Sequence, residues 1–219
     1  MFDLDGVLVH SMPLHVTSWE QYLAKLGIQV KDLERRMHGR RNMELVRDLI
    51  DPNASDEQAL AHGAAKERLF RELMGKEDPA AVEIAGAEEF LERYWHVPKT
   101  LASNAERANI DFVLDHLKLR PFFEVVVDGQ QVERPKPYPD IYLKAAAQLG
   151  VRPEACIVFE DSPAGAKAGI DAGMRVVGVE STPTQFDRIA FKVKDFRDSR
   201  LDRWLEGQGI RAAALQPRA

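Results

Sequence analysis

The apolar residues of this chain change rhythm once. From Pro13 to about Ala81 they recur at helical spacing without a strand-like run, so this stretch is predicted to be all-helical. Leu14, Trp19, Tyr22, Leu23 and Leu26 make one apolar face, with Pro13 suited to a first helical turn and Gly27 to a C-terminal cap. Trp19 is expected in the core. A second helix is predicted over Met43–Ile50, ended by Asp51-Pro52. A third runs from about Ser55 to Met74, with Leu60, Ala64, Leu69, Leu73 and Met74 as its buried stripe.

After Gly86 short β-type runs alternate with helical patterns: Val97–Ala102, Glu106–Leu117, Glu124–Asp128, Tyr138–Leu149, Ala155–Glu160, Pro163–Ala172 and Arg175–Glu180. Such alternation predicts the α/β class, a doubly wound, Rossmann-like parallel sheet covered by helices on both faces, with ligands at the carboxyl ends of the strands. From about Thr182 the pattern weakens, although Leu201, Trp204 and Leu205 predict a short packing helix. Residues 1–12 and 83–219 are therefore expected to form one α/β domain, interrupted by a helical domain over 13–82.

A length of 219 residues suits one domain with a sizeable insertion. The formal charge of -5 and a pI near 5.7 argue against nucleic-acid and anionic-membrane partners and point to small molecules. The chain is expected to be a monomer. Its single Cys156 cannot form an intramolecular disulfide, and no apolar run is long enough to span a bilayer, so the expected location is cytoplasmic. Only Met1 and Phe2 precede the first acidic pair, where a strand usually has about five residues; the first strand is expected to be clipped.

Four short segments carry candidate chemistry. In Phe2-Asp3-Leu4-Asp5-Gly6-Val7 the two carboxylates stand at i and i+2 on one side of an extended backbone, and Gly6 permits a turn. Alone this motif reads equally well as a polar turn or as a metal or proton site. Ala102-Ser103-Asn104 puts a hydroxyl and an amide where a strand passes into a helix, suited to an anion or to capping the helix near Glu106. Arg134-Pro135-Lys136-Pro137 holds a lysine between two prolines. Phe159-Glu160-Asp161-Ser162-Pro163 closes an apolar run on two acids; Asp161 or Ser162 could cap a helix, or the acids could extend a magnesium site begun by Asp3 and Asp5.

Taken together, Phe-Asp-Leu-Asp-Gly-Val, Ala-Ser-Asn, Arg-Pro-Lys-Pro and Phe-Glu-Asp-Ser-Pro-Ala-Gly, in that order, resemble the haloacid dehalogenase-like hydrolases. The narrower likeness is to the subgroup containing β-phosphoglucomutase and small sugar-phosphate phosphatases. It covers nearly the whole chain, and the helical stretch fits the family's cap. The resemblance implies Asp3 as the nucleophile that forms an aspartyl-phosphate, and Asp5 as general acid and then base. Mg2+ would be held by Asp3, Asp5 through its carbonyl, Asp161 and Glu160. Ser103, the backbone at Asn104, and Lys136 would hold the phosphoryl oxygens. In the cap, His15 matches a residue near the substrate entrance, and His38-Gly39-Arg40-Arg41-Asn42 matches a loop that reaches over the substrate. There Arg40 and Arg41 suit a second anionic or hydroxylated group, or form a solvated basic turn.

Departures from the family pattern favour one reaction. His10 stands where many members have Asp, His38 and Asn42 align with the mutase's cap lysine and arginine, and Glu106 replaces a lysine. The reading is a magnesium-dependent phosphatase acting on a small phosphorylated metabolite, with a phosphosugar mutase as the alternative. A phosphorylatable signalling module, which also gathers acids, a hydroxyl and a lysine, fits less well because its acids are adjacent and it has no helical insert of this size.

Overall fold

The computed structural model describes residues 1–37, 40–181 and 184–213. The described chain divides into two compact units: Ser11–Asp78, which is helical, and Met1–His10 together with the chain from Pro79 onward, which is α/β.

The helical unit contains α1 (Met12–Lys25), α2 (Leu33–Met37), α3 (Asn42–Leu49) and α4 (Asp56–Met74). Pro13 lies in the first turn of α1. A capping box starts α4: the Ser55 hydroxyl accepts from the Gln58 amide while the Gln58 side chain accepts from the Ser55 amide. Trp19 is fully buried beside Leu23, Leu45 and Val46. The inward stripe of α4 matches the expected one in part. Leu69 and Met74 are buried as expected, but the stripe also takes in Ala59, Gly63, Lys66, Glu67 and Phe70, and Leu60 is exposed. The reason is polar: Lys66 and Glu67 are buried, so apolar residues alone misplace the face. Leu26, just past α1, is also exposed.

The α/β unit contains α5 (Pro79–Val82), α6 (Ala87–Arg93), β1 (Thr100–Ser103), α7 (Arg107–His116), β2 (Val125–Asp128), α8 (Asp140–Leu149), β3 (Ile157–Glu160), α9 (Pro163–Asp171), β4 (Arg175–Val179), β5 (Phe191–Val193) and α10 (Ser199–Gly207). β1 pairs with β2, and β3–β4–β5 form a second run, all parallel. Phe2 joins them, bridging Leu101 on one side and Phe159 on the other. Its amide donates to Thr100 and its carbonyl accepts from Ala102, while Asp3 donates to Phe159. The spatial order is thus β2, β1, the Phe2 segment, β3, β4, β5. β5 lies where the sequence pattern shows no period; its three residues leave little room for alternation.

The period-2 alternation sorts the sheet's two faces. Met1, Ala102, Val127, Val158 and Val176 meet α8 and α9 through Ile141, Tyr142, Ala145, Ala146 and Ala166. Phe2 and Phe159 face the other way, stacked at 4.6 Å, and meet Phe90 of α6 and Phe196. This is the doubly wound α/β architecture expected from the alternation. Among the described residues no helix is long and apolar enough to cross a membrane.

Candidate active site

Parallel pairing brings the last residues of neighbouring strands to one edge. Ser103 ends β1, Asp128 ends β2, Glu160 ends β3, and Asp3 follows the Phe2 bridge between β1 and β3. Asp3, Ser103, Asp128 and Glu160 are all buried. Past Asp3 the chain turns tightly: the Leu4 carbonyl accepts from Val7, Leu8 and Val9, and the Gly6 amide donates to Val9. Gly6 has φ +72°, and a Cβ there would lie 2.0 Å from Asp161 Oδ2. Glycine alone lets this loop approach the Asp161 carboxylate.

Lys136 reaches in from the loop before α8. Its Nζ donates to Asp3 Oδ1 at 2.8 Å, to the Ala102 carbonyl at 2.9 Å and to Glu160 Oε1 at 2.6 Å. All three ammonium protons therefore have protein acceptors. The lysine amide donates to Asn104 Oδ1 at 3.3 Å, tying this loop to the one after β1. Glu160 is equally occupied. Its Oε1 also accepts from the Tyr142 hydroxyl at 2.7 Å, and its Oε2 accepts from the Ser162 amide and hydroxyl. Ser162 caps α9 as well, its hydroxyl accepting from Gly165. Ser103 and Asn104 cap no helix: α7 begins after Glu106, and the Ser103 hydroxyl accepts from Ala105 instead.

Negative charge exceeds positive here. Carboxylate oxygens of Asp3, Glu160 and Asp161 all lie within 4.8 Å of one another. Burial pushes Asp3 up to about 7 against the pull of Lys136, with Glu160 and Asp5 adding to the rise. Burial and then repulsion from Glu160, Asp3 and Asp5 push Asp161 up to about 9. Lys136 moves up from its ordinary value: burial disfavours its charge, but Asp3 and Glu160 outweigh that. Acids that would rather hold protons than face one another are what a hard divalent cation relieves, and oxygen donors are its preferred ligands. The donor set fits magnesium.

The remaining candidate residues lie in the helical unit. His15 stacks on Phe70, with ring centroids 3.9 Å apart, and its Nδ1 is 2.7 Å from Lys66 Nζ. Lys66 donates to Glu67 Oε1 at 3.0 Å, and Asn42 Nδ2 donates to the same oxygen at 2.6 Å. Lys66 and Glu67 went unnoticed in the sequence because a charged pair within an amphipathic helix normally faces solvent. Arg40 is committed to Asp48 at 2.6 Å and to the Glu44 carbonyl. Arg41 precedes α3 and is exposed, and among the described residues its side chain makes no hydrogen bond or ion pair. His38 and Gly39 lie outside the described residues.

Comparison with known proteins agrees with this geometry. A family model for haloacid dehalogenase-like hydrolases matches residues 1–173. The chain is 34% identical over 186 residues to a phosphorylated carbohydrates phosphatase of Thermotoga maritima, covering 82% of this chain and 83% of that one. It is 30% identical over 187 residues to the β-phosphoglucomutase of Bacillus subtilis, with 82% and 81% covered. Among solved structures, a HAD hydrolase of family IA, variant 3, from Entamoeba histolytica superposes with a TM-score of 0.84 at 27% identity, covering 95% of this chain and 97% of that one.

Proposed function

The chain belongs to the haloacid dehalogenase-like hydrolases and is a phosphoric monoester hydrolase of that superfamily, and on that premise we propose that it removes phosphate from a small phosphorylated sugar through an aspartyl-phosphate on Asp3. The observation that carries this reading is Asp3 itself: a buried carboxylate at a strand end, gripped by Lys136 and surrounded by further acids.

In the proposed reaction a carboxylate oxygen of Asp3 attacks phosphorus, and the bond from phosphorus to the sugar oxygen breaks. Asp5 gives that oxygen a proton, then takes one from the water that attacks the phospho-aspartate, freeing phosphate and Asp3. Ser103 and the backbone at Asn104 hold phosphoryl oxygens. Lys136 already uses its three protons on protein acceptors, so its main task is to aim Asp3; a contact with phosphate exchanges one of those partners. Magnesium, when held by Asp3, Asp161 and the Asp5 carbonyl beside Glu160, supplies positive charge that offsets repulsion between carboxylate and phosphate. Because the transferred group is metaphosphate-like, positioning and charge stabilisation supply most of the rate.

We assign the helical unit, Ser11–Asp78 rather than the expected 13–82, the role of a cap that selects the substrate, with His15 and Arg41 as its polar contacts and Arg40 as support through Asp48. Hydrolysis is favoured over mutase chemistry by Asn42: its amide donates to buried Glu67, so this position offers a second phosphate no cation. Phosphate release from a panel of phosphorylated metabolites with magnesium tests the assignment, and product analysis separates hydrolysis from isomerisation. Asp3→Asn is expected to abolish turnover with the fold intact, and native protein quenched during turnover should yield a phosphorylated Asp3 peptide. A fully active Asp3→Asn protein would end this scheme.

A further inference from the structure

We propose that Tyr142, which takes no part in the reaction above, is a positioning residue: its hydroxyl fixes the Glu160 carboxylate that aims Lys136 at Asp3. The inference rests on the reading of Asp3 as nucleophile and extends it to the body of α8.

Packing explains the ring of Tyr142 but not its oxygen. The side chain is fully buried in the apolar layer between α8 and the sheet, beside Ile141, Ala145 and Val158. Phenylalanine would fill that space, and a hydroxyl placed there is costly unless it is hydrogen-bonded. The bond it makes goes to the acid that holds the lysine, 2.7 Å away. The ring also serves the lysine directly, since Lys136 Nζ lies 4.9 Å from its centroid, within cation–π range. Tyr142 thus touches both partners of the ion pair, with its face on the cation and its hydroxyl on the anion.

Tyr142 completes the restraint on Glu160, adding a second hydrogen bond at the oxygen that Lys136 holds. Ser162 fixes Oε2, and Tyr142 shares Oε1 with Lys136. On another side the acid lies against the α9 backbone so closely that a Cβ at Gly165 would stand 1.8 Å from Oε1. Without the tyrosine proton, Oε1 has its full lone-pair density for Lys136, which is then drawn toward Glu160 and away from Asp3. A misplacement on the order of 1 Å at a reacting group can cost about 10²-fold in rate, so even a partial shift is measurable.

Tyr142→Phe keeps the ring and removes only the oxygen. For this variant kcat should fall by about 5- to 20-fold, below that ceiling for a full displacement, while KM stays within about twofold. Nuclear magnetic resonance of the Lys136 side-chain ammonium gives a readout that does not depend on activity. In the native protein its protons, held by three acceptors, should exchange slowly enough to be seen; in Tyr142→Phe the signal should shift or broaden. Failure to see the signal in native protein, an unchanged signal in the variant, or an unchanged kcat each overturns the proposal. A kcat loss that merely tracks a lower folded fraction, measured by thermal unfolding of the same sample, overturns it too. If the native protein releases phosphate from no metabolite, the hydrolase reading falls, and the ammonium signal still decides whether Tyr142 positions Lys136.

Discussion

Lys136 and Lys66 are both buried cations set near aromatic rings, 4.9 Å from Tyr142 in the α/β unit and 5.8 and 5.6 Å from Trp19 and Phe70 in the helical one. Their company differs. Lys136 shares its surroundings with Asp3, Glu160 and Asp161, and Asp5 adds to the field. Lys66 pairs with Glu67 and meets His15, and Asn42 donates to the same oxygen of Glu67. Lys66 and Glu67 pair one to one, whereas Asp3, Glu160 and Asp161 outnumber Lys136. Residual negative charge is therefore what the strand-end cluster presents to an incoming cation. Removing a charge should have opposite effects in the two places.

The largest effect is expected in the balanced cluster. Lys66→Met removes the ammonium that Glu67 accepts from inside the protein and should cost about 3–5 kcal/mol of stability, the usual result of breaking a buried pair from one side. The double variant Lys66→Met, Glu67→Gln should regain most of that. Urea unfolding of the single and double variants checks this, and equal losses in both would mean that Lys66 matters through packing alone.

Magnesium comes next. At a concentration about 100 times its dissociation constant it should stabilise the native state by about 2.7 kcal/mol, seen as a rise in Tm that Asp161→Asn abolishes. Calcium should also raise Tm but depress turnover, since it takes more ligands and tolerates looser geometry. A Tm that ignores magnesium would contradict the cation site.

The last change has the opposite sign to the first. In chelator, Asp161→Asn should be more stable than the native protein at pH 7, seen as a higher Tm. The sign follows from the raised pKa. A carboxyl group with a folded-state pKa near 9 favours folding while protonated, so that contribution is present below its ordinary value of 3.8 and drains away as pH rises toward about 9. Asparagine does not titrate, and its advantage should grow across that window. A gap that stays constant with pH would show that repulsion at Asp161 is not the cause.

Much of the strand-end site was legible in the sequence because each acid or hydroxyl closes a short apolar run. Ser103 follows Leu101 and Ala102, Glu160 follows Val158 and Phe159, and a parallel sheet necessarily gathers such ends. Lys136 was legible from its flanking prolines. Tyr142 was not, since its hydroxyl is hidden within a helix whose apolar residues explain themselves. The inward face of α4 was misjudged for a related reason: Lys66 and Glu67 are charged residues doing a buried job, and only a partner from α1 or α3 reveals it. The single bridge at Phe2 is too brief for periodicity, so its central place in the sheet had to come from the acidic motif after it.

The bond between Lys136 and Asp3 joins residues 133 apart in sequence, and Glu160, which ends β3, and Asp161 come later still. During synthesis Asp3 thus leaves the ribosome long before the groups that restrain it. At roughly 5–20 residues per second, the interval between Asp3 and Asp161 lasts about 8–30 s. Through that time the first segment has no β3 to pair with. A chain cut short before Asp161 therefore carries Asp3 without the acids that gather around it in the folded protein.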